Sequence, residues 1–248
     1  MNTSERTESV RIAAWSGPRN VSTALMRSFE ARGDTAVVDE PLYACYLDRT
    51  GLEHPMRDEV LSSQPTDWRQ VFDDLSGPIP GGQSIYYQKH MAHHLSDDMD
   101  LSSLDGFRHM FLIREPRGML ASLRKKLGAV EIEDTGYPQQ IRLFRRLREE
   151  SGSAPPVVDA RDVRTDPPRV LRALCERLEI PYTDSMLEWA PGRRKTDGVW
   201  AAHWYDAVEK STGFAPFNES ASESPSGLES LEARCQEIHD ELAAFRIR

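Results

Sequence analysis

Cysteine is scarce in this sequence, and the few residues present do not follow a metal-binding or disulfide spacing. Cys45, Cys175 and Cys235 lie far apart, and the sequence has no C-x-x-C pair and no His/Cys cluster with zinc spacing. An odd number of widely separated cysteines is typical of reduced thiols in the cytosol. We therefore expect no disulfide framework and no bound metal.

Long apolar runs and an excess of positive charge are also missing. No window approaches the roughly 20 apolar residues that span a bilayer, and residues 1–9 lack the apolar run of a signal peptide. The net charge of −9 at pH 7 disfavours general binding to nucleic acid or to an anionic membrane. We expect a cytoplasmic protein without a nucleic-acid or membrane partner. A local anion site is not excluded, because nearby arginines outweigh distant carboxylates that salt screens.

A third absence concerns the loop after the first aliphatic run, which lacks the lysine of a triphosphate-binding loop. The run leads into Gly17 and Pro18, and a helical pattern then opens with Ser22 and Thr23. Backbone N–H groups and the positive end of the helix dipole would point at one spot, which predicts a phosphate or sulfate site. The motif G-x-x-x-x-G-K-[ST] needs a lysine, whereas here the cation is Arg19. Arginine suits an oxyanion because its charged plane donates two parallel hydrogen bonds.

Short aliphatic runs alternate with helical patterns along most of the chain. This alternation predicts an α/β fold: a three-layer, P-loop-type parallel sheet flanked by helices. The predicted strands are 11–15, 35–39, 84–88, 109–113 and 156–159, and the predicted helices are 22–32, 116–127, 139–150 and 167–178. The stretch 51–82 is rich in Pro, Asp and Gly, so we expect a surface excursion around one helix.

The composition divides the chain into four parts. We expect a polar tail at 1–9, the α/β domain at 10–217, a polar linker at 218–227 and a terminal helix at 228–248. The terminal helix carries an apolar stripe of fewer than three heptads. Packing on the domain is therefore favoured over a dimer seam, although a homodimer stays open.

A second strand, turn and helix follow later in the chain. Arg114 leaves the end of a predicted strand, Pro116 opens a helix, and Ser122 lies about two turns into that helix. If the strands are parallel, Arg114 and the first loop meet at the same sheet edge, where α/β proteins bind ligands. A cation with a hydroxyl suits a second phosphate group. The alternative is that Arg114 ends a strand and Ser122 is helix surface.

Together the two segments resemble the sulfotransferase superfamily over about residues 10–175. One family signature is a strand followed by a [GT]-x-P-[KR]-S-G-[ST]-[TS]-like loop, and the other is a strand ending in Arg with a Ser eight positions later. The matching residues are Gly17, Pro18, Arg19, Ser22, Thr23, Arg114 and Ser122. The sequence departs from the first signature at Asn20 and Val21, where the family usually has Ser-Gly.

The resemblance implies a metal-free enzyme that uses 3'-phosphoadenosine 5'-phosphosulfate and a small-molecule acceptor. The loop Gly17, Pro18, Arg19, Asn20, Val21, Ser22 and Thr23 would hold the 5'-phosphate, with Arg19 stabilising the leaving group. Arg114 and Ser122 would hold the 3'-phosphate. A basic loop, Arg193, Arg194 and Lys195, would close over the 3'-phosphate or, alternatively, form a solvated charge run.

Two residues are candidates for the base that takes the acceptor proton. Glu40 leaves the second predicted strand ahead of Pro41, which stiffens the chain there, and His90 ends the third. A histidine has the better intrinsic pKa, whereas a glutamate needs burial to raise its own. We favour Glu40, because family members carry a catalytic Glu in this vicinity, and keep His90 second.

Two other functions remain open at this stage. One is a small-molecule or nucleotide kinase, for which Asp39 at the end of the second predicted strand is the single supporting residue. The other is a non-catalytic nucleotide-binding module, which would tolerate the loss of both candidate bases. Trp200, Trp204 and Tyr205 either line an acceptor pocket or complete the core, and we expect the core for two of the three. The acceptor itself cannot be identified from this sequence.

Overall fold

A five-stranded parallel sheet forms the centre of the computed structural model, which describes residues 9–218 and 226–248. The order across the sheet is β2-β3-β1-β4-β5, and every strand pairing is parallel. The strands are β1 (Val10–Ser16), β2 (Thr35–Asp39), β3 (Ile85–Met91), β4 (Arg108–Ile113) and β5 (Val157–Asp159). All five predicted strands are present at the expected places.

Helices cover both faces of the sheet. They are α1 (Ser22–Glu30), α2 (Tyr43–Thr50), α3 (Arg57–Ser63), α4 (Trp68–Ser76), α5 (Pro116–Leu127), α6 (Tyr137–Ser151), α7 (Ala160–Thr165), α8 (Pro167–Arg177), α9 (Ala201–Trp204), α10 (Asp206–Glu209) and α11 (Glu229–Ala243). One core contains apolar residues of α1 and α8, and the opposite core contains those of α4, α6 and α11. The predicted three-layer α/β fold is confirmed.

The central strand β1 shows how the two cores are separated. Ile12 and Ala14 contribute to the core beneath α1 and α8, whereas Ala13 and Trp15 contribute to the opposite core. Successive side chains of a strand point to opposite faces, and a central parallel strand is buried on both. The same alternation decides which side chains at the strand ends face the functional site.

The expectation of one helix within residues 51–82 was wrong. The structure has α3 and α4 there, followed by a short 3₁₀ turn at Pro80–Gly82. The carboxylate of Asp67 caps α4 by accepting from the Arg69 backbone N–H at 3.0 Å. Phe72 and Leu75 of α4 are buried in the core. The frequent Pro, Asp and Gly residues obscured these helical spacings in the sequence.

The C-terminal helix α11 packs on the domain. Cys235 and Leu242 are fully buried, and α11 contacts both α5 and α6. Beyond the helix, the Ile247 backbone N–H donates to the Val157 carbonyl of β5 at 2.9 Å. A dimer partner stays a prediction. The predicted tail at 1–9 and linker at 218–227 lie largely outside the described residues.

Within the described residues, no helix combines the length and apolar character needed to cross a membrane.

Candidate functional site: an arginine-lined cavity at the sheet edge

The loop between β1 and α1 presents backbone N–H groups to a cavity. Arg19 and Val21 adopt left-handed backbone conformations with φ of 62° and 51°, which residues other than glycine rarely adopt. No side chain caps α1 at Val21. The first hydrogen bond of the helix runs from the Leu25 N–H to the Val21 carbonyl. The backbone N–H groups that precede Leu25 in the first turn therefore have no acceptor within the helix. Such a helix start is suited to an anion.

Tight packing fixes this loop in place. A Cβ on Gly17 would collide with the Thr135 carbonyl oxygen, so only glycine fits there. The buried Asn20 donates from Nδ2 to the Leu112 carbonyl of β4 at 3.2 Å. Asn20 thus ties the loop to the neighbouring strand, which gives a structural role to one of the two departures from the family signature.

The two sequence motifs meet through Arg19. Its Nε donates to Ser122 Oγ of α5 at 2.9 Å, and its backbone carbonyl accepts from Arg114 Nη1 at 2.8 Å. The Arg114 carbonyl in turn accepts from the Tyr137 hydroxyl. The first loop, the end of β4 and the second turn of α5 therefore form one unit, as the sequence predicted for Arg114 and Ser122.

Like charges lie close together at this junction. Burial and the charge of Arg114 both lower the pKa of Arg19 from its ordinary value, although arginine stays charged at neutral pH. Glu115 makes an ion pair with Arg114 at 3.5 Å. Two neighbouring guanidinium groups favour a bound anion, because an anion relieves their mutual repulsion.

A buried ionic cluster lies at the ends of β2 and β3. Lys89 Nζ is 2.8 Å from Asp39 Oδ1, 2.5 Å from Glu40 Oε1 and 3.0 Å from the Tyr205 hydroxyl. The Tyr205 hydroxyl also donates to Asp39 Oδ2 at 2.7 Å. Asp39 and Lys89 are register partners on adjacent parallel strands, which explains their contact.

Glu40 faces the cavity from this cluster. Its φ is 42°, its backbone N–H donates to the Lys89 carbonyl at 2.8 Å, and its side chain is 12% exposed. Burial and the nearby Asp39 raise the pKa of Glu40, and Lys89 partly opposes them. When Asp39 and Glu40 are both ionised, their two negative charges exceed the single positive charge of Lys89 by one. Accepting a proton would remove that excess, so Glu40 is suited to act as a base.

His90 lies on the opposite face of β3 from Lys89. Its ring stacks on Trp15 at a centroid distance of 4.3 Å, and its Nε2 is 3.3 Å from Gln88 Oε1. Burial lowers the pKa of His90 to about 3. His90 is not among the residues that line the cavity. Of the two candidate bases, the structure brings Glu40 and not His90 to the site.

The basic loop at 193–195 lies elsewhere. Arg194 pairs with Glu30 at 3.5 Å, at the C-terminal end of α1, and Arg193 and Lys195 are exposed. The loop between β1 and α1 precedes the other end of that nine-residue helix, roughly 13 Å away along the axis. The structure does not bring Arg193, Arg194 and Lys195 to the cavity, so their predicted contact with the nucleotide gains no support.

A cavity of about 360 Å³ connects these elements. One part is cationic, with Arg19, Arg114 and Arg164. Another part is lined by rings, namely Tyr43, Tyr46, His54, His93, His94, Trp200, Trp204 and Tyr205. Of the three aromatic residues singled out in the sequence, Trp200 and Tyr205 are buried and Trp204 is partly exposed, and all three line the cavity.

Burial favours the neutral form of the imidazoles in the ring-lined part. Burial lowers the pKa of His93 to about 3, and burial also lowers the pKa of His54 and His94. His54 Nδ1 lies 2.9 Å from the Tyr43 hydroxyl, and His94 stacks on Tyr43 at 4.8 Å. These imidazoles therefore add hydrogen-bonding groups to this part of the cavity without adding positive charge.

Sequence reasoning missed Lys89 and Arg164. Lys89 immediately precedes His90 in the sequence. The two residues differ in function only because neighbouring side chains of a strand point to opposite faces of the sheet. Arg164 lies on α7, whose six residues show no motif in the sequence. The only indication of Arg164 in the sequence is that arginines are frequent just after a predicted strand.

Fold and cavity define an α/β protein with an arginine-lined cavity at the carboxyl edge of its sheet, where α/β proteins bind their ligands. The chain belongs to the sulfotransferase domain family, because the family model described as "Sulfotransferase domain" matches residues 10–225.

Two proteins of Arabidopsis thaliana are similar over 204 residues. Branched-chain-amino-acid aminotransferase-like protein 2 is 37% identical and protein 1 is 39% identical. Each match covers 82% of this chain and 36% of the relative, so the chain spans about a third of the length of these curated relatives. The aminotransferase-like name thus belongs to proteins of which this chain matches a minor part.

Two solved structures share the fold. The sulfotransferase domain from the curacin biosynthetic pathway has 17% identity and a TM-score of 0.51, and the match covers 95% of this chain and 98% of that one. The sulfotransferase domain from the Synechococcus PCC 7002 olefin synthase has 15% identity and a TM-score of 0.55, covering 96% and 98%. At such identities the likeness shows the fold.

Proposed function

We propose that this chain moves a sulfuryl group from 3'-phosphoadenosine 5'-phosphosulfate to a hydroxyl or amine of a small molecule. The observation that carries the proposal is the junction of Arg19, Ser122 and Arg114, which joins the two predicted anion-binding motifs, with Arg19 and Arg114 lining one cavity. A donor with two separate phosphate groups needs such a pair of sites. Membership of the sulfotransferase domain family supports the same conclusion.

The loop residues 17–23 would bind the 5'-phosphate through backbone N–H groups at the start of α1. Ser122 Oγ already accepts from Arg19, so its own proton is free to be donated to the 3'-phosphate beside Arg114. This division keeps the two phosphates on different elements.

The donor supplies a sulfuryl group activated by attachment to its 5'-phosphate. Transfer forms a bond between the acceptor oxygen (or nitrogen) and sulfur, while the bond between sulfur and the 5'-phosphate oxygen breaks. Glu40 would take the acceptor proton, and Lys89 holds that carboxylate in position at 2.5 Å. Arg19 would stabilise the negative charge that develops on the departing phosphate, as preorganised cations do in phosphoryl transfer.

The ring-lined part of the cavity is where the acceptor would bind. Tyr43 follows Glu40 by less than one helical turn and contacts His54, His94 and Trp200. Flat side chains offer a large apolar contact area, and neutral imidazoles offer hydrogen bonds. This composition favours an uncharged acceptor with an apolar body.

Calorimetry tests the donor assignment. We expect binding of 3',5'-adenosine bisphosphate without added metal, and weaker binding of ATP with Mg²⁺. Tight binding of ATP with Mg²⁺, without binding of the bisphosphate, would favour a kinase and refute the proposal. Sulfated product from the wild-type protein, lost in Glu40→Gln while the bisphosphate still binds, would exclude a non-catalytic binding module.

A further inference from the structure

We propose that Arg164 is a third cation of the donor site and binds the second phosphate, in place of a basic C-terminal loop. This inference rests on the proposed function.

The sheet topology brings Arg164 next to Arg114. Strands β4 and β5 are parallel neighbours in which Ile113 and Asp159 are register partners. Arg114 follows the first of these directly, and α7 begins at Ala160 directly after the second. Arg164 lies one turn into α7, so its side chain starts close to the carboxyl edge of the sheet. Both arginines line the same cavity.

The positive charge of Arg164 is not neutralised by the groups that hold it. Its Nε donates to the Ala215 carbonyl at 2.9 Å, and its Nη2 donates to the Pro216 carbonyl at 2.7 Å. These oxygens are neutral, so they orient the guanidinium group without cancelling its charge. Nη1 of the same group is a further donor in a fixed plane.

Three guanidinium groups therefore share one cavity. Arg19 donates to a hydroxyl, Arg164 donates to carbonyls, and Arg114 has Glu115 as an ion-pair partner at 3.5 Å. Burial and the charge of Arg114 lower the pKa of both other arginines, and Glu115 partly opposes them at Arg164. Holding like charges together costs free energy, which a bound dianion would offset.

The basic loop of the sequence is not in a position to fulfil this role. Arg194 is held by Glu30 and by the Ala190 carbonyl, at the far end of α1. Residues 213–215 do line the cavity, and Arg164 is hydrogen-bonded to the last of them, Ala215. Arg164 thus supplies, from α7, the charge that the resemblance assigned to residues 193–195.

The test compares two nucleotides that differ in the 3'-phosphate alone. Dissociation constants for 3',5'-adenosine bisphosphate and for adenosine 5'-monophosphate are measured by competition in the full chain, in wild type and in Arg164→Met. A charged hydrogen bond contributes about 1.5–3 kcal/mol, which corresponds to about 10- to 150-fold in Kd. We expect that loss for the bisphosphate and less than a twofold change for the monophosphate.

A purely structural role would give a different result. If Arg164 only holds residues 215–216, both nucleotides lose affinity equally and their ratio stays at the wild-type value, which overturns the inference. Arg164→Lys keeps the charge and the helix propensity, so the ratio of the two dissociation constants can be measured in this variant if Arg164→Met does not fold. The expected loss of affinity for the bisphosphate is then smaller. Arg169→Ala, an exposed arginine of α8 paired with Asp166, is the matched control.

The experiment also separates this inference from the proposed function. If the wild-type protein does not prefer the bisphosphate over the monophosphate, the proposed donor is wrong, and the inference falls with it. If the wild type shows that preference and Arg164→Met keeps it, the donor assignment stands and only the role of Arg164 is refuted.

Discussion

Arg19 and Ser122 are separated by 103 positions in the chain and are joined by a hydrogen bond of 2.9 Å from Nε to Oγ. The bond links the loop between β1 and α1 to the second turn of α5. Because Arg114 donates to the Arg19 backbone as well, any ligand bound at one motif is positioned relative to the other.

Replacing Ser122 tests this link. In Ser122→Ala the hydroxyl that accepts from Arg19 is lost, together with the proton that it would donate to a phosphate. A hydrogen bond to a charged group contributes about 1.5–3 kcal/mol, so we expect the affinity for 3',5'-adenosine bisphosphate to fall at least tenfold by calorimetry. Ser62→Ala, in which the lost hydroxyl donates to the Asp58 carbonyl on the exposed face of α3, should leave affinity unchanged. Equal affinities for wild type and Ser122→Ala would contradict the assignment.

A second prediction concerns the pH dependence of transfer. A base must be ionised to accept a proton, and burial raises the pKa of Glu40 from its ordinary value of 4.5. We therefore expect kcat/KM to fall as the pH decreases through that raised value, with an acid limb above pH 4.5. The pKa of His90 is lowered to about 3, so His90 contributes no limb near neutrality.

The Glu40→Gln variant provides the matching measurement. Removal of a general base costs about 10²- to 10⁴-fold in kcat, and the acid limb should disappear with it. Affinity for the bisphosphate should stay near that of the wild type, since Glu40 does not face the donor phosphates in the proposed arrangement. A profile that keeps its acid limb in Glu40→Gln would show that another group takes the proton.

Local patterns were sufficient for most of the fold and for the meeting of the two predicted motifs. Strand positions follow from short aliphatic runs, and the contact of the first loop with Arg114 and Ser122 follows from parallel strands ending at one edge. These features depend on residues close in sequence and on one general property of α/β sheets.

Features that depend on the direction of a side chain were harder to predict. Lys89 and His90 are adjacent in sequence, yet the pleat of β3 turns one toward the cavity and the other toward Trp15. The position of residues 193–195 depends on Asp197, which is anchored to Arg27 of α1. Contacts of this kind are made by the tertiary structure, so no local pattern reveals them.

The buried cluster around Asp39 leads to a third prediction. Tyr205→Phe removes the hydroxyl that donates to Asp39 and contacts Lys89, and it leaves a buried carboxylate with one hydrogen bond fewer. We expect about 1–3 kcal/mol lower free energy of unfolding, together with a lower kcat, because Lys89 also holds Glu40. Urea denaturation and initial rates measure the two effects. Tyr182→Phe, whose ring lies against Arg172 outside the cavity, should change neither.

The last prediction concerns the pairing of Arg27 with Asp197, which fixes the segment that leads into Trp200 of the cavity lining. Arg27 Nη2 lies 2.5 and 2.6 Å from the two carboxylate oxygens, and the side chains are 1% and 0% exposed. Just beyond Asp197, the Gly198 N–H donates to Asp39 at 3.3 Å, so the pair also supports the ionic cluster.

Arg27→Met would leave the Asp197 carboxylate buried without its cation. Breaking a buried ion pair in this way costs about 3–5 kcal/mol, which urea denaturation should detect as a large decrease in midpoint. Arg146→Met breaks an exposed pair with Glu150 of about the same length and should cost about 0.3–0.5 kcal/mol. The double variant Arg27→Met with Asp197→Leu should recover much of the loss, because it removes the unpaired charge. A loss below about 1 kcal/mol in Arg27→Met, on the scale of an exposed pair, would show that the pair does not hold this segment.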